Sequence, residues 1–151
     1  MVQKLILPLP CQMDKPNFDF IDVNIPDFDS EFFCLWLSKV VKHYGKAMGE
    51  ISFVFVTDVH LLKINKEYLK HDYYTDIITF DYNEGNSLNG DLMISYDRVM
   101  ANAIEFGNGS VWDELCRVMV HGVLHLIGFA DKTDEEILLI RKEEDFCLTL
   151  R

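Results

Sequence analysis

Apolar positions first alternate at Ile21, Val23 and Ile25, with Asp22 and Asn24 between them, which predicts a strand that Pro26 closes. From Ser30 the spacing changes to that of a helix. Phe33, Trp36, Leu37, Val40 and Tyr44 share one face, and Gly45 is the expected stop. Ile51 to Thr57 is apolar on both faces, the pattern of a central strand. Asp58 is the expected cap of a second helix reaching about Lys70. Strands are expected over Asp76 to Tyr82 and Asp91 to Tyr96, joined by the turn-rich Asn83 to Gly90. Three helices follow, beginning near Asp97, Ser110 and Thr133, and Thr133 with Glu136 has the spacing of a capping box. Strands and helices alternate early and helices alone follow. The expectation is an α+β fold: a small mixed β-sheet packed against about five helices. No repeat, low-complexity tract or linker divides residues 1–151, which read as a single domain.

Composition adds exclusions. With 151 residues, 49% hydrophobic and 26% charged, the chain has the make-up of a soluble globular protein. No apolar run reaches the ~20 residues of a membrane span. The longest, Val118 to Ala130, contains His121 and His125 and reads as a buried helix. Met1 to Pro10 is too short, and too broken by Pro8 and Pro10, for a signal peptide, and a lipoprotein reading of Cys11 is weaker still. The expected location is the cytoplasm. Cys11, Cys34, Cys116 and Cys147 form no CxxC pair and read as reduced thiols. Trp36 and Trp112 are assigned to the core. A net charge of −11 disfavours nucleic acid in general, and neither DNA nor a membrane is an expected partner. The charge is uneven, however. Between Lys39 and Lys70 six lysines face three acids, against eight basic and 22 acidic residues elsewhere.

The segment His-Gly-Val-Leu-His-Leu-Ile-Gly-Phe-Ala-Asp-Lys, residues 121 to 132, carries the chemistry. On a helix His121 and His125 lie one turn apart on one face and can chelate a metal ion. Gly128 lets the chain turn after that helix, so that Asp131 can return as a third ligand. The competing reading is a pair of core histidines satisfied by backbone carbonyls, with Asp131 capping the following turn. Cys116, the nearest thiol in sequence, stands ~140° around the helix from His121, so no fourth protein ligand is expected. The open position then belongs to a water, and the site is catalytic. Zinc peptidases place their general base directly after the first histidine. Here that residue is Gly122, which permits close approach of either a substrate or a neighbouring strand.

Residues 121 to 128 resemble the His-Gly-x-Leu-His-Leu-x-Gly signature of the YbeY family of metal-dependent endoribonucleases. Asn65, Tyr68, Asp72, Thr75, Asp76 and Phe80 are similar to a second family segment. Gly90-Asp91, Ile94-Ser95 and Glu114-Leu115 match a third, in the family's order. The resemblance spans about residues 20 to 148. It implies a zincin-like fold, one zinc ion per chain, and hydrolysis of single-stranded RNA. It further implies work on ribosomal RNA, with small-subunit 3′-end maturation and ribosome quality control as the setting and the small ribosomal subunit as partner. His121 and His125 are then the catalytic histidines, with Asp131 at the place of the family's third zinc-binding histidine and Ala130 at that of its preceding aspartate. A carboxylate lowers the site's charge by one unit, acidifies a bound water less, and brings harder ions such as Mn²⁺ within range. Leu69 stands where the family has an arginine; Lys70 and His71 are the cations nearest to it in sequence.

Lys39, Lys42, His43 and Lys46 recur at helical spacing, as do Lys63, Lys66 and Lys70. They read either as solvated faces or as a track for RNA phosphates, and the resemblance favours the track, with His71 at its end. Tyr73 and Tyr74 are candidates for base stacking, though more naturally packing residues, and Asp76 and Asp91 read either as strand-end turn formers, the favoured role, or as partners behind the metal ligands. A carboxylate or carbonyl acceptor behind His121 or His125 is expected but not located by sequence. Two rival functions remain: a metallopeptidase on the same scaffold, and a non-catalytic ribosome-associated RNA-binding module.

Overall fold

In the computed structural model, which describes residues 15–151, four strands form one mixed sheet. They are β1 (Asn17–Phe20), β2 (Ala47–Val56), β3 (Ile77–Asp81) and β4 (Ser87–Ser95), in the order β1-β2-β4-β3. β2 runs parallel to both β1 and β4, and β3 pairs antiparallel with β4. β2 is thus paired along both edges and covered on both faces, which accounts for apolar residues on both of its faces. Ile51, Phe53 and Phe55 face the main core, whereas Val54 and Val56 face a smaller cluster on the other side.

Five helices surround the sheet: α1 (Ser30–His43), α2 (Asp58–Leu69), α3 (Tyr96–Glu105), α4 (Val111–Ile127) and α5 (Asp134–Leu148). α1, α4 and α5 close the main core through residues such as Phe33, Leu37, Met119, Val123 and Ile140. Burying each such side chain is worth roughly 1.5–3 kcal/mol. α2 lies on the opposite face, its Leu61 and Ile64 packed with Val56 and Ile78. The expected α+β class, sheet and helix count are all observed.

Several boundaries differ from the pattern. The first strand is Asn17–Phe20, not the alternating 21–25 stretch. Ile21 still donates to the Phe55 carbonyl at 2.9 Å, but positive φ at Asp22 then turns the chain out of the sheet. Val23 and Ile25 nevertheless pack against the core, so their alternation reflects docking of a loop. Thr57, not Asp58, caps α2. Asp58 instead accepts from Ser95 Oγ at 2.9 Å and pairs with Arg98 at 2.6 Å, tying α2 to the start of α3. Ser87 to Gly90, expected in the turn, belong to β4.

Trp36 is buried and donates its indole N–H to the Cys147 carbonyl at 2.9 Å. Trp112 is 40% exposed, its ring lying against Phe32 and Phe33, and is therefore not a core residue. Cys116 and Cys147 are buried thiols outside any disulfide. The Met1 to Pro10 segment and Cys11 lie outside the described residues. Among the described residues no helix is long and apolar enough to cross a membrane.

Candidate metal centre

α4 is defined at both ends. Ser110 caps it by accepting from the Asp113 N–H at 3.1 Å, and Asp113 and Glu114 complement the dipole of its first turn. Its apolar side lies on β3 and β4. Gly122 faces that sheet: a Cβ there would stand 2.6 Å from Ile77 Cδ1 and 3.1 Å from Leu92 Cδ2. Of the two roles open to Gly122, the structure shows close helix–sheet packing. A residue at position 122 points into the sheet, so the place of a peptidase base is not merely vacant but faces the wrong way.

His121 and His125 project from the other side of α4. At the helix end Gly128 adopts φ +126°, a conformation side-chain-bearing residues rarely take, and its N–H bonds the Leu124 and His125 carbonyls. The chain reverses there and returns Asp131 to the histidines. Thr133 caps α5 in a full capping box with Glu136, while Glu136 also accepts from the Lys132 and Thr133 N–H groups. The cap is filled without Asp131, whose carboxylate faces the two imidazoles.

The three side chains converge on one point. His121 Nε2 and His125 Nε2 are 2.9 Å apart, and Asp131 Oδ2 lies 3.3 Å and 3.2 Å from them. Ligand atoms about 2.0–2.1 Å from a tetrahedral ion stand about 3.3 Å from one another, so the triangle fits zinc. Hydrogen bonding supports the same use. His125 Nδ1 is 2.9 Å from the Phe129 carbonyl, which requires a proton on Nδ1 and leaves the Nε2 lone pair free. His121 Nδ1 is 3.3 Å from Glu144 Oε2, the carboxylate partner that sequence reading expected but did not locate. With both rings in that tautomer, two imidazole lone pairs and a carboxylate oxygen meet at one point, a donor set that suits a cation.

Glu144 is among the most buried acids, its side chain only 3% exposed. One oxygen faces His121 and the other Arg117 Nη1 at 3.4 Å, while Arg117 Nη2 reaches Asp145 at 2.8 Å. Burial works against a charged His121, but the hydrogen bond and charge of Glu144, with Asp76 and Asp131, outweigh it and hold His121 above the usual histidine range. Asp76 shares the cleft, and burial pushes its carboxyl up. It therefore contributes to the site's electrostatics as well as to the strand end; Asp91, within β4, does not line the cleft. Cys116 is not part of the cluster.

The lysines lie elsewhere. Lys39 and Lys42 lie on α1 and Lys46 just beyond it, whereas Lys63 and Lys66 lie on α2 and Lys70 at its end, the two helices packing on opposite faces of the sheet. Lys66 pairs with Asp72 at 3.1 Å, and His71 stacks on Tyr73. None of these residues lines the cleft of His121 and Asp131; its cations are Arg117, Arg141 and Arg151. Tyr73 and Tyr74 are exposed rather than packed, with Arg98 over the Tyr74 ring. Asn65 is buried and donates to the Tyr73 carbonyl at 2.9 Å, so it secures the loop after α2. Leu69 sits exposed on the last turn of α2.

Glu144 and Arg117 carried readable signals. Ile140, Glu144 and Cys147 are the buried positions of α5 at helical spacing, an acid within an apolar stripe. Arg117 precedes His121 by four residues and shares its face.

Comparison with known proteins follows the same line. The family model for endoribonuclease YbeY matches residues 23–150. A protein from Christiangramia forsetii described as endoribonuclease YbeY is 50% identical over 141 residues, covering 91% of this chain and 96% of that one. One from Bacteroides thetaiotaomicron with the same description is 45% identical over 129 residues, covering 85% and 93%. The solution structure of TM1509 from Thermotoga maritima shares the fold, with a TM-score of 0.63, 23% identity and 89% of each chain covered.

Proposed function

Because the chain belongs to the YbeY family of endoribonucleases, we propose that it hydrolyses phosphodiester bonds of single-stranded RNA at His121, His125 and Asp131. The observation that carries the assignment to these residues is the convergence of their three ligand atoms within about 3 Å of one another in an open cleft. Two imidazoles and a carboxylate suit zinc, and the oxygen donor also admits Mn²⁺. When bound, the ion supplies Lewis acidity toward a phosphoryl oxygen and toward the attacking water. The chain holds and orients it: Phe129 and Glu144 fix the two rings, and Gly128 fixes the return of Asp131. With no base available at position 122, peptide hydrolysis lacks its usual partner.

We assign the activity to one domain working on ribosomal RNA in the cytoplasm, in small-subunit 3′-end maturation and ribosome quality control; kinship with the family supports that setting. The two lysine faces act as outer, long-range attractors of RNA. Metal analysis beside an RNA cleavage assay tests the core of this reading. His121→Ala and His125→Ala should each lose the ion and most cleavage while keeping the far-ultraviolet dichroism of the parent. Stoichiometric metal in both variants would overturn it.

A further inference from the structure

The cleft does not end at the metal ligands. It continues for about 990 Å³ as a groove between α4 and α5, bordered by the loop from Phe106 to Ser110. Arg117 stands one turn before His121, about 6 Å back along the α4 axis. That advance is close to the separation of neighbouring phosphates on an extended strand. Glu144 and Asp145 hold its guanidinium through Nη1 and Nη2, and a guanidinium has five N–H donors, so donors remain for a ligand. Across the groove Arg141 of α5 lines the wall, yet among the described residues it has neither an ion pair nor a side-chain hydrogen bond. At the rim Phe106 is 76% exposed.

We propose that this groove is the RNA subsite next to the scissile phosphate, with Arg117 and Arg141 holding the neighbouring phosphate and Phe106 stacking on a base. It rests on the assignment of His121, His125 and Asp131 as the cleaving centre. Guanidinium groups match phosphate oxygens in planar, paired hydrogen bonds, and an exposed ring accepts any base face.

Acidic residues of the groove set a condition on binding. Six carboxylates line it against three arginines. Arg151 occupies Asp113 at 2.8 Å, and Arg117 occupies Glu144 and Asp145. Arg117 and Arg141 face Glu114, and burial pushes the carboxyls of Asp76 and Glu114 up. Asp131 remains, and a divalent ion on it reverses the sign of the inner end. The groove therefore takes RNA when loaded with metal.

Fluorescence anisotropy of a short single-stranded RNA with 2′-O-methyl riboses, confirmed intact by gel after each titration, tests the subsite on the zinc-loaded full chain. Arg141 and Phe106 are exposed, so Arg141→Ala and Phe106→Ala are expected to fold. Arg141→Ala should weaken binding about tenfold and reduce the salt slope by about one. Phe106→Ala should weaken it about tenfold with the slope unchanged. Chelation should weaken the parent strongly. Parental affinity and salt slope in both variants, with loss appearing instead in Lys63→Ala/Lys66→Ala, would overturn the subsite. Failure of the cleaving centre is read separately, as undiminished cleavage by His121→Ala.

Discussion

At the scale of single residues, the proposed role of Asp131 as third ligand turns on where its carboxylate points. Its carboxylate faces two imidazoles, and Thr133 with Glu136 has already taken the cap that an aspartate here would otherwise serve. Asp131→Ala should therefore lower zinc affinity well beyond the 10–100-fold typical of an outer partner, and Asp131→His should restore it. Equal affinity in a chelator titration of all three proteins would remove Asp131 from the ligand set. Glu144 acts through His121 and is a positioning residue. Glu144→Ala should cost about 10–100-fold in zinc affinity and Glu144→Gln less, since an amide oxygen still accepts from Nδ1–H. Unchanged affinity in both would reduce Glu144 to a structural partner of Arg117. The convergence of His121, His125 and Asp131 was legible in sequence because they lie within eleven consecutive residues whose helical period and glycine turn state their geometry. The burial of Glu144 was legible as an acid within an apolar stripe, but its meeting with His121 was not, because that depends on how α5 packs on α4, which no local pattern encodes.

At the scale of elements, two glycines of the same motif do different work. Gly122 admits the sheet, and Gly128 reverses the chain. Gly122→Ala places a methyl against the movable end of Ile77, an overpacking of roughly 1–3 kcal/mol that thermal denaturation reads as lost stability. Gly128→Ala has open space around its Cβ but an unfavourable φ, costing of order 1–3 kcal/mol. Only the second moves Asp131. Metal affinity should fall in Gly128→Ala and hold in Gly122→Ala, and an equal fall in both would contradict this division. The same elements show where pattern suffices. The starts at Ser110 and Thr133 were readable because capping is local chemistry between residues three apart. The first strand was misplaced because an alternating stretch that docks as a loop looks the same as one that pairs; Ile21 makes the last bond to the sheet, and positive φ at Asp22 then takes the rest out of it. The lysine spacing was equally real, yet α1 and α2 lie on opposite faces of the sheet, a fact of topology rather than of periodicity.

For the whole molecule, the balance of protons and metal sets stability. In the metal-free protein His121 sits above the usual histidine range, and Asp76 and Glu114 sit above the usual carboxylate range. All three hold protons more tightly folded than unfolded. From about pH 4 to about pH 7 the native state thus carries more protons, and stability falls as pH rises. The His121 share is complete below the unfolded histidine value and is lost as pH passes the folded one. Asp113 works the other way: Arg151 holds its carboxyl low, so its contribution is present above the unfolded value and lost in acid. The net charge of −11 adds repulsion with the same sign as His121 as histidines lose their protons. Metal reverses the trend, because its ligands must be free of protons. The chelated protein should therefore melt at a higher temperature near about pH 5.5 than near about pH 7.5, and the gain from added zinc should be larger at the higher pH. His121→Gln should flatten the chelated slope and abolish most of the zinc gain, which separates this residue from the general charge. A melting temperature of the chelated parent that rises over this interval would show that Glu144 does not raise the proton affinity of His121.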